Sequence, residues 1–199
     1  MVQQESIREE GLQKGPVTVI ALKAMKPFEF ETQEGKQEMF HAMVATESEF
    51  FFVRVFNKKL KDKFTSKKII IISKYYWHTH FLEENSASLV SDVKSEQPSS
   101  VPKHFIRKAC QNTKVNKLQT QPLAAIVNGL LGAQNVKNGT EESYIIYLRH
   151  NTGSVGVLVL RQKNKIKCED GNKLNLTFFE LSKIGEKQQL KSGVYSFIK

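Results

Sequence analysis

Apolar and polar residues alternate with a period of two along much of this chain, and the alternation comes twice. Residues 39–46 set Phe40, Ala42 and Val44 against His41, Met43 and Ala45, as in a strand with two distinct faces. Residues 17–25 read as a strand, and so does the aromatic and β-branched run 50–56. The polar stretch 27–38 holds Pro27 and Gly35 and predicts a turn or long hairpin loop. Asn57 has the chemistry of an N-cap for a short helix from Lys58 to Phe64, with Leu60 and Phe64 four apart on one side. Ile69 to Ile72 predicts a buried strand, and Phe81-Leu82 with Leu89-Val90 supply the last short ones. About five strands with a helix between the third and fourth is the pattern of a small Greek-key barrel, the OB-fold. An SH3-like barrel is the rival, but it has no helix at that place.

The second round of alternation matches the first. Residues 40–72 lie on residues 144–176 at a constant offset of 104, without a gap. Phe40, Ala42 and Val44 fall on Tyr144, Ile146 and Leu148; Val53 and Val55 fall on Val157 and Val159. Lys59, Lys61 and Lys63 fall on Lys163, Lys165 and Lys167, and Phe64 falls on Cys168. Two copies are too few for a solenoid, so they predict tandem small domains. Second-barrel strands are expected at 123–131, 144–148, 155–160, 173–181 and, in two pieces, 189–198. Their first loop is expected at 135–142 and their fourth at 182–187. Between the repeats, Pro102 opens a helix through Phe105, Ile106 and Ala109, and residues 112–121 read as an extended polar connector. The expected chain is all-β: two tandem OB-fold barrels joined by a linker containing a short helix. A disordered or extended segment occupies 1–15, the first barrel 16–93, the linker 94–122 and the second barrel 123–199.

Composition fits a folded chain: of 199 residues, 40% are hydrophobic, enough to build cores. The charge is uneven. Residues 1–95 hold 14 basic and 13 acidic side chains, whereas residues 96–199 hold 16 and 7, which puts nearly all of the net +10 in the rear half. Such a field favours polyanions, either nucleic acid or an acidic membrane surface. Cys110 and Cys168 are too few for a disulfide framework and follow no metal spacing; they read as reduced thiols, Cys110 on a helix and Cys168 in a core. No apolar run approaches a membrane span, and the polar N-terminus is not a signal peptide. The expectation is an intracellular protein, cytoplasmic or nuclear.

No phosphate loop, G-x-S-x-G or H-E-x-x-H motif occurs, so no enzyme is expected, and no cofactor, metal or small-molecule substrate. His78 and His80 would share one side of a strand, but further ligands are missing nearby. Trp77 reads as a cap on a barrel end, and the pairs Glu83-Glu84 and Glu141-Glu142 as solvated loop charges. The nucleic-acid reading is stronger. OB barrels bind oligonucleotides with one sheet face and the loops joining strands 1–2 and 4–5. In the second barrel those loops carry Lys137, Asn138, Thr140, Lys183 and Lys187. The linker adds Arg107, Lys108, Lys114 and Lys117, and Arg149-His150 opens a tight basic turn. Lysine and arginine neutralise phosphates and release counterions, giving affinity without sequence readout. Part of Phe50-Phe51-Phe52 must face outward, which leaves single-strand stacking open.

Several longer strings resemble the HIN domain of the interferon-inducible PYHIN proteins. They are residues 27–32, residues 39–51, the segments around Leu60–Phe64 and Lys67–Ser73, Val127-Asn128-Gly129-Leu130, and Cys168–Leu174. The resemblance covers about residues 16–199. It implies tandem OB-folds with a helical linker, sequence-independent binding of double-stranded DNA, and a role in innate sensing of cytosolic or nuclear DNA. It further implies pairing with other HIN-domain proteins. Family members commonly carry a pyrin domain that recruits inflammasome partners; none lies within this sequence, so a fragment or a pyrin-less member is expected. The wording looks most like the rodent absent-in-melanoma-like group, including its short pyrin-less member with two HIN domains, an inflammasome antagonist. By motif, the family's basic contacts carry over to Arg107, Lys114 and the pair Lys67-Lys68. Three departures stand out: Met43 for the family's Thr, Leu131 for its Phe, and Arg149-His150 where an acidic residue usually opens the turn.

Overall fold

A computed structural model describes residues 9–93, 101–110, 114–137, 143–150, 153–160 and 168–199. The chain divides into two units, residues 1–111 and 112–199. The first contains β1 (Gly11–Gln13), β2 (Val17–Ala24), β3 (Phe28–Thr32), β4 (Gly35–Ala45), β5 (Phe50–Val55), a 3-10 helix (Lys58–Phe64), β6 (Ile69–Ser73), β7 (Tyr75–His78), β8 (Phe81–Glu84), β9 (Leu89–Asp92) and α1 (Lys103–Cys110). The second contains α2 (Val115–Leu118), β10 (Ile126–Lys137), β11 (Ser143–His150), β12 (Gly153–Leu160), β13 (Lys173–Ile184), β14 (Lys187–Lys191) and β15 (Phe197–Ile198).

Both units are OB-fold barrels. In the second, β10 pairs with β11, β11 with β12, β12 in parallel with β14, β14 with β13, and β13 back with β10, so the ring closes. In the first, β2, β4 and β5 pair in turn and β5 runs parallel to β8. The chain continues from β8 into β9, which pairs with β6, and β6 returns to β2. The first strand of each barrel carries a bulge, between Ala21 and Lys23 in β2 and between Val127 and Gly129 in β10. An extra residue bends a strand, which a small barrel needs in order to close.

The repeat extends to the register itself. Ala42 faces Val53 and Val44 faces Phe51; 104 residues later Ile146 faces Val157 and Leu148 faces Val155. All eight are buried, in two separate cores. A one-residue slip would turn every one of these side chains to water, so the alternation fixes the pairing. Phe64 is fully buried and stands edge-on to Phe40 at 5.6 Å. Its counterpart Cys168 only partly packs against the second core, so the thiol read as a core residue sits at a core margin.

Several expectations are corrected. The loop expected at 27–38 is a hairpin: β3 pairs with β4 from Phe28↔Met39 to Thr32↔Gly35, and Phe28 and Phe30 are buried. Tyr75–His78 is a strand, and Trp77 is buried in the first core against Phe51, 5.2 Å away. His78 ends β7 and His80 lies in the turn beyond, so the two imidazoles do not share a strand face. The connector expected at 112–121 contains α2, whose Val115 and Leu118 enter the second core. The fourth loop of the second barrel shrinks to Gly185-Glu186, because β13 runs on to Ile184 and β14 starts at Lys187. Glu83 and Glu84 are strand residues, not loop charges. Glu84 is buried and its Oε2 accepts the N–H groups of Phe56 (2.9 Å) and Asn57 (3.1 Å), where β5 passes into the 3-10 helix. Burial raises its pKa, and those two N–H groups oppose the rise. Glu141 and Glu142 lie outside the described residues.

Candidate nucleic-acid interface

In the first unit the expected contacts sit around α1 and the loop before β6. Ile20, Leu22, Met43 and Ala45 form an apolar patch outside the barrel core, and Phe50, Phe52, Ile69, Val101 and Ile106 pack on it. The outward members of the phenylalanine run are therefore engaged in this patch, not bare on the sheet. Ile106 seats α1 on the first barrel, so the neighbouring exposed Arg107 belongs to that barrel and not to a loose connector. Lys67 is exposed at a positive φ of 70°, and its N–H donates to the Ala21 carbonyl at 2.7 Å. Lys68 already has a counter-ion: Asp92 Oδ1 lies 3.2 Å from its ammonium, and Lys63 reaches the same carboxylate at 3.5 Å. Lys68, with Lys63 adding its charge, holds the Asp92 carboxyl below its usual range. Of the expected pair, Lys67 is the better placed for an outside phosphate.

In the second unit one end of the barrel gathers candidates that are scattered in sequence. Arg149 is exposed near the end of β11, opposite Ser154, and His150 pairs with Gly153. The short helix α2 leans on this turn: a Cβ on Gly153 would stand 3.3 Å from Val115 Cγ1. Exposed Lys114 and Lys117 flank that contact, one before and one after Val115. β14 runs parallel to β12, with Gly156 opposite Gln189, so Lys187 emerges at the end where Gly153 begins β12. Lys183 separates from this group. Lys183 pairs with Gln188 and Ile184 with Lys187, so the two lysines project from opposite faces of the hairpin. Lys183 also has Glu186 at 3.5 Å, an exposed pair worth little in stability.

Gly153 holds this end together. Its φ of 144° is strained for any side chain, and the space above it belongs to Val115. Gly153→Ala is expected to destabilise the second unit by about 1–3 kcal/mol, measured by urea unfolding.

Lys137 lies in β10, paired with Ile145, and not in a loop. Asn138 and Thr140 lie outside the described residues, as do the side chains of Lys137, Lys108 and His150. One exposed basic residue beside Arg149 was missed from sequence. Lys173 is exposed and shares a cross-strand row with Arg149, with Gly132 between them: Gly132 pairs with both. The row is invisible without register, because the three residues stand far apart in the chain. Among the described residues, no three His, Cys, Asp or Glu side chains gather as metal ligands. Among them, too, no helix is long and apolar enough to cross a membrane.

Known proteins align along the whole chain. Human interferon-inducible protein AIM2 is 58% identical over 199 residues, all of this chain and 57% of the human protein. The mouse AIM2 protein is 50% identical over all of this chain and 55% of its own length. The chain thus spans little more than half the length of these relatives, and the leaning toward a rodent group does not follow from identity, which is higher to the human protein. A murine DNA-binding protein solved with double-stranded DNA superposes with a TM-score of 0.79 at 48% identity, covering 93% of this chain and 97% of that one. The tetrameric p202 HIN2 superposes with a TM-score of 0.81 at 31% identity, covering 98% of each. The model of the HIN-200/IF120x domain matches residues 13–181, most of the chain, and with it the two barrels and the strings that carried the resemblance find one explanation: this chain belongs to the HIN-200/IF120x domain family.

Proposed function

We propose that this chain binds double-stranded DNA through its phosphate backbone, without reading base sequence and without catalysis. The observation that carries the reading is the convergence of Lys114, Lys117, Arg149 and Lys187 on one end of the second barrel, with the surplus positive charge in that half of the chain. Lysine and arginine side chains that emerge from different elements onto one surface suit a polyanion with regularly spaced charges. Arg107 and Lys67 extend the same chemistry to the first barrel. The match to a DNA-binding protein solved on a duplex supports the same ligand. We take residues 16–93 and 123–199 as the two barrels and place the activity in the cytoplasm or nucleus, in innate DNA sensing or its restraint.

The test compares two charge-reversal variants in the full chain. One changes Lys114, Lys117, Arg149 and Lys187 to Glu; the other changes Lys67 and Arg107 to Glu. Duplex affinity by fluorescence anisotropy is expected to fall more in the first. Equal affinity of wild type and both variants would sink the reading. A second reading, pairing between HIN domains with DNA secondary, gains support from the tetrameric relative. It expects self-association to survive nuclease treatment.

A further inference from the structure

The first strand is lightly held. β1 pairs with β7 over three residues, Gly11 with Trp77, Leu12 with Tyr76 and Gln13 with Tyr75, and none of the three β1 residues is buried. Leu12 is 56% exposed, so its side chain adds little apolar burial. The Gln13 side-chain amide donates back to the Glu9 carbonyl at 2.9 Å, within the same segment. Such a strand opens more easily than the barrel beneath it. His78, the last residue of β7, reaches across to the residue ahead of β1. Its Nδ1 lies 3.9 Å from Glu10 Oε1, and its Nε2 lies 3.3 Å from Glu83 Oε2.

We infer that His78 is a proton-operated clasp that fastens β1 to the first barrel. The ring is fixed in place. It stacks on Phe81 at 4.3 Å with 21° between the planes, and the Tyr76 ring stands 4.8 Å away. Held so, its two nitrogens address different carboxylates, Nε2 that of Glu83 and Nδ1 that of Glu10. The charged and titratable groups around the ring are Glu83 on β8, Tyr76 on β7 itself, Glu10 ahead of β1 and, behind Glu83, Arg54 on β5. Arg54 Nη1 donates to the same Glu83 oxygen at 2.7 Å, and its guanidinium lies over Phe81 at 4.5 Å. A neutral imidazole carries one proton, and Nε2, sealed from solvent beside Glu83, is where it belongs. Nδ1 then turns a lone pair toward the Glu10 carboxylate, which repels it. A second proton adds at Nδ1 and converts the repulsion into an ion pair. Charge balances as well: Arg54 already offsets Glu83, and the imidazolium offsets Glu10. An imidazole changes charge between about pH 5 and 8, so β1 is held more tightly as pH falls through that range. The gain ends at lower pH, where the carboxylates themselves take up protons. Its direction is opposite to that of His41, whose proton uptake loosens the whole first barrel. The clasp acts on the segment that leads into the barrel and is independent of nucleic acid.

The experiment follows amide hydrogen exchange of the full chain at about pH 7.5 and about pH 5.5, on either side of the imidazole range. It compares wild type, His78→Gln and Glu10→Gln, with rates corrected for the intrinsic pH dependence of exchange. In wild type, protection of the amides of residues 11–13 is expected to be roughly 1.5- to 5-fold higher at the lower pH, the range that a surface ion pair yields. The gain should vanish in both variants, since one lacks the proton and the other the charge it meets. Amides of residues 40–45 in β4 should show no gain, because loosening through His41 acts on them in the other direction. Glu10 is exposed, so its variant keeps the fold and decides the question alone if the fluorescence of Trp77 shows His78→Gln to be unfolded. Equal protection at both pH values in wild type, a gain that survives either substitution in a folded variant, or a gain shared by residues 40–45 would each overturn the clasp.

Discussion

Duplex affinity should fall roughly a thousandfold between about 50 and 200 mM salt if about six phosphates are neutralised. Six exposed side chains supply that count: Lys67, Arg107, Lys114, Lys117, Arg149 and Lys187. Each bound phosphate releases condensed counterions, so the logarithm of affinity falls linearly with the logarithm of salt, with a slope of about 0.9 per contact. Lys68 and Lys183 are left out of the count because Asp92 and Glu186 already face them. Substituting a single contact, for example Lys117→Gln, should lower the slope by about 0.9 and weaken all duplex sequences alike. Anisotropy titrations at several salt concentrations, with duplexes of different base composition, give both quantities. A flat salt response, or strong preference for one sequence at fixed salt, would remove the phosphate-backbone mechanism.

The first barrel should be acid-labile because of His41. That side chain is fully buried on β4, beside the Phe28 ring at 5.1 Å and opposite Arg54 on β5. Burial, and then the Arg54 charge, hold its pKa at about 3 against an ordinary 6.5. The folded state therefore takes up this proton less readily than the unfolded chain. The stability contribution is fully present above pH 6.5 and drains away as pH falls toward about 3. Over the window from neutral pH to about 4.5, the loss is roughly 2–3 kcal/mol. Glu84 works the other way: its pKa is raised, so its ionised form weighs on the fold as pH rises through its folded value. Subtracting a His41→Phe variant isolates the histidine. Urea unfolding followed by the fluorescence of Trp77, the single tryptophan, reports on the first barrel. The variant should lack this part of the acid loss; parallel pH profiles for the two proteins would show that His41 is not its source.

Much of the fold was legible because alternation and burial are the same fact seen twice. Phe40, Ala42 and Val44 had to face one way, and the match at an offset of 104 required a second barrel of the same register. The Asn57 cap was legible too, its side chain accepting the Lys59 N–H. Glu84 was misread because a carboxylate in an acidic pair looks solvated; only the neighbouring strand end, with two N–H groups to satisfy, explains its burial. The hairpin at 28–39 was misread because its glutamates alternate with Phe28 and Phe30, and the polar count outweighed the period.

What sequence alone determined is the pair of five-stranded barrels, the capped helical turn and the positive rear half, since each depends on local pattern or on summed charge. Which lysines keep their charge for an outside partner, and which residues meet across strands, was decided by tertiary structure. Asp92 meets Lys68 only where β9 lies against β6, and Arg149, Gly132 and Lys173 meet only through strand register. The physical reason is range: alternation is written between neighbours in the chain, whereas ion pairs and cross-strand rows join residues that only folding brings within a few ångströms.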